Sequence, residues 1–528
     1  MHTAEIELVL GLLAVVAALG GLARRLGVPY AIVLFLAGLF LGLIPGLPSV
    51  ALAPEVVFLL FLPPLVYIAG FFTSVRDFRA QARPILSLAV GLVLVTTVAV
   101  AAVVHALMPE IGWPTAFTLG AIVSPTDAIA AVAILQRPGV PRRVVTVLEG
   151  ESVLNDATGL VAYRFAVAAV LTGSFSLSEA LPRLVVVGVG GVALGVVLGW
   201  VVGRVRNRLS YPPVEITISL LTPYVAYLPA EALGVSGVLA TVTCGMLLGR
   251  QAPRIMEADT RVQSGAVWET LAFLFNGLVF LLMGLQLRLV IENTQVRSVS
   301  QLVILAVLVS LVVIVVRFAW IFGSDLPRLV RRRGAGSWQT NLVSSWAGMR
   351  GVVSLAAALA LPLTTASGDP FPQRHLLIFL TMCVILSTLV GQGLTLRLML
   401  SFLRLRGDGM DLHEEAIARE AAGQAAELRL GQLADAWPDH QPLIDALRAQ
   451  YLHRASHLAS HSHDADGHDA PPSDATQQEI REHRAIRHAV IEAGRSALLD
   501  LRDSGQIGDE VLRTVERELD LEELRMEA

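Results

Sequence analysis

Long apolar runs, parted by short segments bearing arginine, glycine and proline, make up the first four hundred residues of this chain. The runs fall at about residues 5–23, 29–47, 55–75, 84–108, 113–135, 144–172, 181–203, 213–229, 235–249, 263–286, 299–322, 338–361 and 375–402. Most reach the ~20 residues a helix needs to cross a bilayer. The pattern predicts an all-α polytopic membrane protein of about thirteen transmembrane helices. Beyond residue 405 the pattern changes. Polar stretches with helical spacing at 410–456, 477–501 and 509–527 flank a His-, Ser- and Asp-rich piece near 453–474, predicting a helical C-terminal tail with a flexible linker. The domains expected are a transmembrane unit, 1–404, and a cytoplasmic tail, 405–528.

Two runs are interrupted. In the fifth, Ser124-Pro125-Thr126-Asp127 breaks the apolar pattern, and Pro125 removes a backbone donor. In the twelfth, Trp346-Ala347-Gly348-Met349-Arg350-Gly351 sets Gly348 and Gly351 around an arginine. Proline and glycine are common in membrane helices, so one kink alone needs no function. An acid at one break and an arginine at the other is a different matter. Paired broken helices point to inverted repeats with a binding site at the midplane. The repeats would be spans four to six and eleven to thirteen.

Composition strengthens this picture. Of 528 residues, 54% are hydrophobic, far above a soluble domain. The net charge of −4 says little, but the placement of charge says more. The chain has no lysine, and its arginines cluster after alternate spans: Arg24 and Arg25, Arg76 to Arg83, Arg137 to Arg143, Arg204 to Arg208, Arg250 and Arg254, Arg328 to Arg333, and Arg397 to Arg406. By the positive-inside rule the N-terminus lies outside and the C-terminus in the cytoplasm, at the inner or plasma membrane. Met1-His2-Thr3-Ala4-Glu5 lacks the basic start of a cleaved signal, so the first run is expected to be a retained helix. Cys244 and Cys383 lie inside apolar runs and read as small packing residues.

The candidate chemistry lies in the fifth and sixth spans. Intramembrane carboxylates are costly and mark ion or proton paths. On a 3.6-residue helix starting from Glu151, Asn155 falls near ~40°, Ser152 near ~100° and Asp156 near ~140°, so all four share one face. These side chains offer oxygen donors, as hard monovalent cations require. The unwound Thr126 region adds carbonyls, and Asp127 a second acid. Two acids in a low-dielectric site cannot both ionise cheaply without a cation. Proton and cation therefore compete, which is the logic of an exchanger. Asp156 is assigned the exchanged proton and Asp127 the cation partnership. Arg350 would be ruinous unpaired, and Glu151 is its expected structural partner. Glu149, Arg164, Glu215, Glu231, Glu269 and Arg317 read as solvated groups, ion pairs or snorkelling side chains, and His105 as a satisfied helix residue.

These motifs, with Leu62-Pro63-Pro64-Leu65 in the third span, resemble the sodium/proton exchangers of the cation:proton antiporter 1 family over about residues 5–404. The resemblance implies a homodimer of thirteen-helix protomers, with a mobile core (84–172 and 299–402) and a dimer scaffold (5–75 and 181–286). It implies elevator-type alternating access that exchanges one monovalent cation for one proton. It carries cation binding over to Thr126, Asp127, Ser152 and Asp156, and the structural ion pair to Glu151 and Arg350. Asn155 stands where electrogenic relatives have a second aspartate, which implies electroneutral exchange. Some archaeal relatives have a glutamate in the third span, where this chain reads Tyr67-Ile68-Ala69-Gly70; sodium versus potassium is left open.

Other classes fit less well. An organic-solute transporter would want an aromatic or arginine-rich midplane pocket, and a potassium channel a carbonyl-ring filter. The hydrolase motifs His-Glu-x-x-His and Gly-x-Ser-x-Gly are absent, and a phosphate-binding Gly-x-x-x-x-Gly-Lys loop is impossible without lysine. No enzyme activity, no cofactor beyond the transported cation and proton, and no nucleic-acid partner is expected. Membrane lipid and a second copy of the chain are the expected partners.

Overall fold

The computed structural model describes residues 3–42, 44, 57–135, 140–173, 177–209, 211–293, 299–330, 338–366, 368–403, 424–425, 427–435, 441–446, 448–449 and 521. The chain divides into two compact units, Met1–Asp408 and Gly409–Ala528.

The first unit is helical throughout its described length apart from short links. In chain order the helices are α1 (Thr3–Leu26), α2 (Tyr30–Gly42), α3 (Leu59–Phe72), α4 (Val75–Ala80), α5 (Ala82–Leu107), α6 (Trp113–Val123), α7 (Ile129–Leu135) and α8 (Arg142–Thr172). There follow α9 (Leu177–Arg206), α10 (Pro212–Ala232), α11 (Gly237–Ile255), α12 (Ala258–Asn293), α13 (Val299–Val330), α14 (Trp338–Trp346), α15 (Val352–Leu359) and α16 (Arg374–Leu403). Among the described residues there is no strand, only an isolated bridge between Thr364 and Pro370. Among the described residues seven helices are long and apolar enough to cross a membrane, which makes this a multi-pass architecture. Ends shift from the predicted spans by a few residues. The largest shift is at the end of α13, which runs to Val330 past span 299–322, and α12 overruns span 263–286 at both ends.

Backbone contact at small residues lets these helices pack without a water-driven core. Where α2 meets α12, a Cβ on Gly38 would lie 2.1 Å from the Leu281 carbonyl, and one on Gly284 2.2 Å from that of Phe35. The main apolar cluster (Val100, Leu119, Val309, Val343, Leu355 and Leu380 among others) encloses the broken segments. The outward faces are apolar as well: Val185, Val189 and Trp200 on α9 and Val303, Val307 and Leu311 on α13 are exposed. A helix apolar on all sides belongs in a bilayer or a deep core.

Three irregularities among the described residues have no signature in the hydrophobic pattern. α3 is entered through a π-helical stretch at Val57–Phe61, α5 widens into one at Ser87–Leu92, and α16 does so at Leu386–Gln392. Such stretches recur at functional sites, and the last one touches the site described below.

In the second unit, residues 427–435 and 441–446 are helical; Leu430 and Ile444 are buried, and exposed Arg448 and Asp445 lie 3.4 Å apart. The predicted His-rich linker near 453–474 and the pieces at 477–501 and 509–527 lie outside the described residues, apart from 521.

Candidate functional site

The chain leaves the helix at 124–128, between α6 and α7, and at 347–351, between α14 and α15. Pro125 has no N–H, so the carbonyl of Ala121 loses its helical donor. The Ser124 hydroxyl donates to that carbonyl at 3.2 Å. The two breaks meet directly, as the Asp127 amide donates to the Met349 carbonyl at 2.7 Å.

Helix α8 holds the first break in place. Asn155 is fully buried, and its Nδ2 donates to the Thr126 carbonyl at 3.2 Å and to Thr126 Oγ1 at 2.7 Å. Thr126 Oγ1 passes its own hydrogen to Glu151 Oε1 at 2.9 Å. Ser152 Oγ accepts from the Ala128 amide at 3.2 Å. Asp127 Oδ1 accepts from the Ile129 amide at 2.9 Å, a turn that aims the carboxyl back at its own backbone.

The expected Glu151–Arg350 pair is not what forms. Glu151 is gripped by Arg317 of α13: Nη1 reaches Oε1, and Nη2 reaches Oε2 at 2.8 Å, with both side chains 1% exposed. Arg317 also donates to the Ser344 carbonyl from Nε (3.1 Å) and Nη2 (3.0 Å). This bidentate fork is the strong geometry for a buried carboxylate. Arg350 serves the breaks instead. Its Nε donates to the Val123 carbonyl at 3.1 Å, its Nη1 to that of Gly348, and its amide to Thr388 Oγ1 at 3.1 Å in the π-helical part of α16. The physical reason is geometric. A broken helix leaves carbonyls without donors and a negative end, and the cation nearest to α6 caps it. An arginine inside the most apolar of the long spans, Ser300–Ser324, was the available signal for Arg317, and it weighs as much as the one at the break.

Thr126, Asp127, Ser152 and Asp156 come together around a cavity of about 290 Å³, also lined by Pro125, Glu149 and residues 351–354. The shared face of α8 divides into two stripes. Ser152 and Asp156 face the cavity, while Glu151 and Asn155, some 100° away on the wheel, point into the protein. Asn155, expected as a cation ligand, is not among the lining residues; it clamps Thr126 from behind. Gly348 is also set back, and a Cβ there would meet Arg317 Cδ at 2.4 Å. At Gly351 a Cβ would stand 1.9 Å from Asp127 Oδ2, so only glycine admits the carboxyl in this pose.

The lining carries three carboxyls (Asp127, Glu149 and Asp156) and no cationic side chain among the described residues. Its ligating atoms are oxygens, and among the described residues no His, Cys, Asp and Glu cluster could hold a resident metal. Of the other charges in the spans, Arg164 lies 2.5 Å from Glu231, and buried Arg206 faces buried Glu215 at 4.0 Å without a hydrogen bond. His105 Nδ1 lies 2.7 Å from the Ile111 carbonyl.

Comparison with known proteins places this geometry. The family model described as sodium/hydrogen exchanger, transmembrane, matches residues 11–402. An uncharacterised Na+/H+ exchanger of Mycobacterium bovis is 37% identical, over 99% of this chain and 97% of its own. A Bacillus pumilus protein named sodium, potassium, lithium and rubidium/H+ antiporter is 36% identical over 69% of this chain and 56% of its own. The solved sodium proton antiporter of Methanocaldococcus jannaschii has a similar fold, with a TM-score of 0.60 and 20% identity, covering 76% of this chain and 98% of that one.

Proposed function

As the chain belongs to the sodium/hydrogen exchanger family, we propose that it exchanges one monovalent cation for one proton, electroneutrally, at Asp127 and Asp156. The observation that carries this reading is the unbalanced cavity. Two aspartates share a confined, largely apolar space with the Thr126 and Ser152 hydroxyls, and no arginine enters it. A charged carboxylate pair there demands a counter-ion, and the available ones are a proton or a bound cation. Asp156 takes the proton; Asp127, Thr126 and Ser152 hold the cation. Glu151 and the two arginines are fixed in the framework.

The finer architecture is proposed with it: thirteen spans in inverted repeats, a core of 84–172 and 299–402 moving against a scaffold of 5–75 and 181–286, and a homodimer in the cytoplasmic membrane with the N-terminus outside. The cavity runs from the breaks toward Thr73, at the end of α3 near Arg76, and Glu149, about two turns into α8 from Arg142. With that orientation the site faces the cytoplasm. The tail, 405–528, sets activity from the same side.

Among the described residues Phe72 is the single aromatic one lining the cavity, which disfavours an organic solute as cargo. The Bacillus pumilus relative, named for four alkali cations, adds potassium to the cations to be tried. The test is cation-driven proton movement in proteoliposomes with sodium, lithium, potassium and choline, with and without a clamped potential. Exchange with sodium or lithium, absent with choline, indifferent to potential and lost in Asp156→Asn, is expected. Full transport in folded Asp156→Asn protein would refute the mechanism.

A further inference from the structure

The cavity draws its polar lining from two sources. Thr126, Asp127, Glu149, Ser152, Asp156 and Ser354 belong to the breaks and the helices next to them, whereas Thr73 and Asn276 stand on other elements. Thr73 has its hydroxyl hydrogen committed to the Ala69 carbonyl at 2.6 Å. Asn276 is a different case. It sits on α12 one turn after Ala272, which also lines the cavity, so this face of α12 is turned to the site. The residue is 6% exposed. Its side chain lies close to that of Tyr30, yet among the described residues its Oδ1 has no hydrogen-bond partner.

A buried amide oxygen without a donor is rare and calls for an explanation. Asn276 borders a cavity already rich in acceptors, whose carboxylates cannot satisfy its oxygen. What can satisfy it is a cation or a water carried by one. An amide carbonyl is a hard, neutral ligand of the kind that completes alkali and alkaline-earth shells. We infer that Asn276 Oδ1 is a further ligand of the transported monovalent cation, reached directly or through one water. The inference rests on the antiport reading above. It also adds an asymmetry. Since α12 lies outside the proposed moving core, Asn276 reaches the cation only while the cavity faces α12, so it tunes affinity on one side of the membrane.

The test uses full-length protein in proteoliposomes, with sodium and lithium chloride as probes added to the cytoplasmic face. Asn276→Ala should raise the apparent KM for sodium about tenfold, the worth of one ligating contact to a charge, keep turnover at saturating cation, and change the sodium-to-lithium KM ratio. Asn276→Asp keeps an oxygen in place, adds charge, and should lower KM. Tyr30→Phe, which keeps the Asn276 carbonyl, should leave both KM and ratio as in the wild type. Unchanged KM and ratio in Asn276→Ala would overturn the inference, as would a Tyr30→Phe variant that reproduces the shift, since Asn276 would then merely brace Tyr30. If Asn276→Ala does not insert, unaltered cation affinity in Asn276→Asp overturns it. Failure of the antiport reading itself is distinct, because it shows as no cation-driven proton movement in the wild-type protein.

Discussion

Removing the guanidinium of Arg317 probes the framework most directly. In Arg317→Met, Glu151 stays fully enclosed with the Thr126 hydroxyl as its one remaining donor. Breaking a buried ion pair from one side costs about 3–5 kcal/mol, because the partner's charge is left uncompensated. Two contacts to the Ser344 carbonyl go with it. Glu151→Gln alone leaves Arg317 with a neutral acceptor and the Ser344 carbonyl, and should cost less. In the double variant no buried charge lacks a partner, so much of the loss should return, giving a coupling of about 1–3 kcal/mol. The assay is thermal unfolding of the detergent-purified protein, followed by loss of the monodisperse species, with the four proteins of the cycle run together. The same cycle with Arg350→Met in place of Arg317→Met gives the control. Arg350 bonds to carbonyls and not to Glu151, so its coupling to Glu151 should be clearly smaller. Equal or larger coupling to Arg350 would refute the assignment of the pair.

Further expectations follow from the same geometry. Gly351→Ala sets a methyl 1.9 Å from Asp127 Oδ2 and forces that carboxyl to move by more than 1 Å; a displacement of this size typically costs ~100-fold in rate, so proteoliposome exchange should collapse while the thermal midpoint stays near wild type, and normal exchange would contradict the pose. Competition between one proton and one cation predicts an apparent KM for sodium that rises about tenfold per pH unit on the acid side of the site; a KM flat across pH 6 to 9 would rule out a shared site. Arg350→Met removes the cap from the Val123 carbonyl and should reduce the yield of folded protein more than it changes cation preference, as read by size-exclusion profile and KM ratios. Deleting 410–528 should leave basal exchange and shift its pH profile; complete loss in a folded truncation would make the tail part of the transport unit.

Much of this was legible in the residues because membranes make their rules severe. Apolar runs had to become helices, since no other single-segment structure satisfies its backbone in lipid. Pro125 and the Gly348–Gly351 segment had to interrupt theirs. The wheel placed Ser152 and Asp156 together, and they share the cavity wall. What periodicity could not supply was partner choice. Glu151 had two candidate arginines, Arg317 and Arg350, and only the packing of α13 against α5, α14 and α16, from which Arg317 reaches across to α8, decides between them. The wheel likewise could not say that Asn155 would turn inward to Thr126, because ~40° of arc separates it from Glu151 and ~100° from Asp156. The π-helical stretches escaped for a similar reason: one extra residue per turn leaves the run of apolar letters unchanged. Asn276 stood unremarked in an apolar run, and only its neighbours across the cavity give it meaning.

The hydrogen bond from the Asp127 amide to the Met349 carbonyl has a dynamic consequence. It stitches the two interrupted helices at the point where each lacks its own ladder, so neither can swing open without unzipping the other. Gating by local fraying of one break is thereby suppressed. In the proposed cycle the cation's surroundings would travel as one piece, on the microsecond-to-millisecond clock of collective motions rather than the faster clock of loops. The Asp127 amide should accordingly exchange with deuterium far more slowly than an unwound segment normally does.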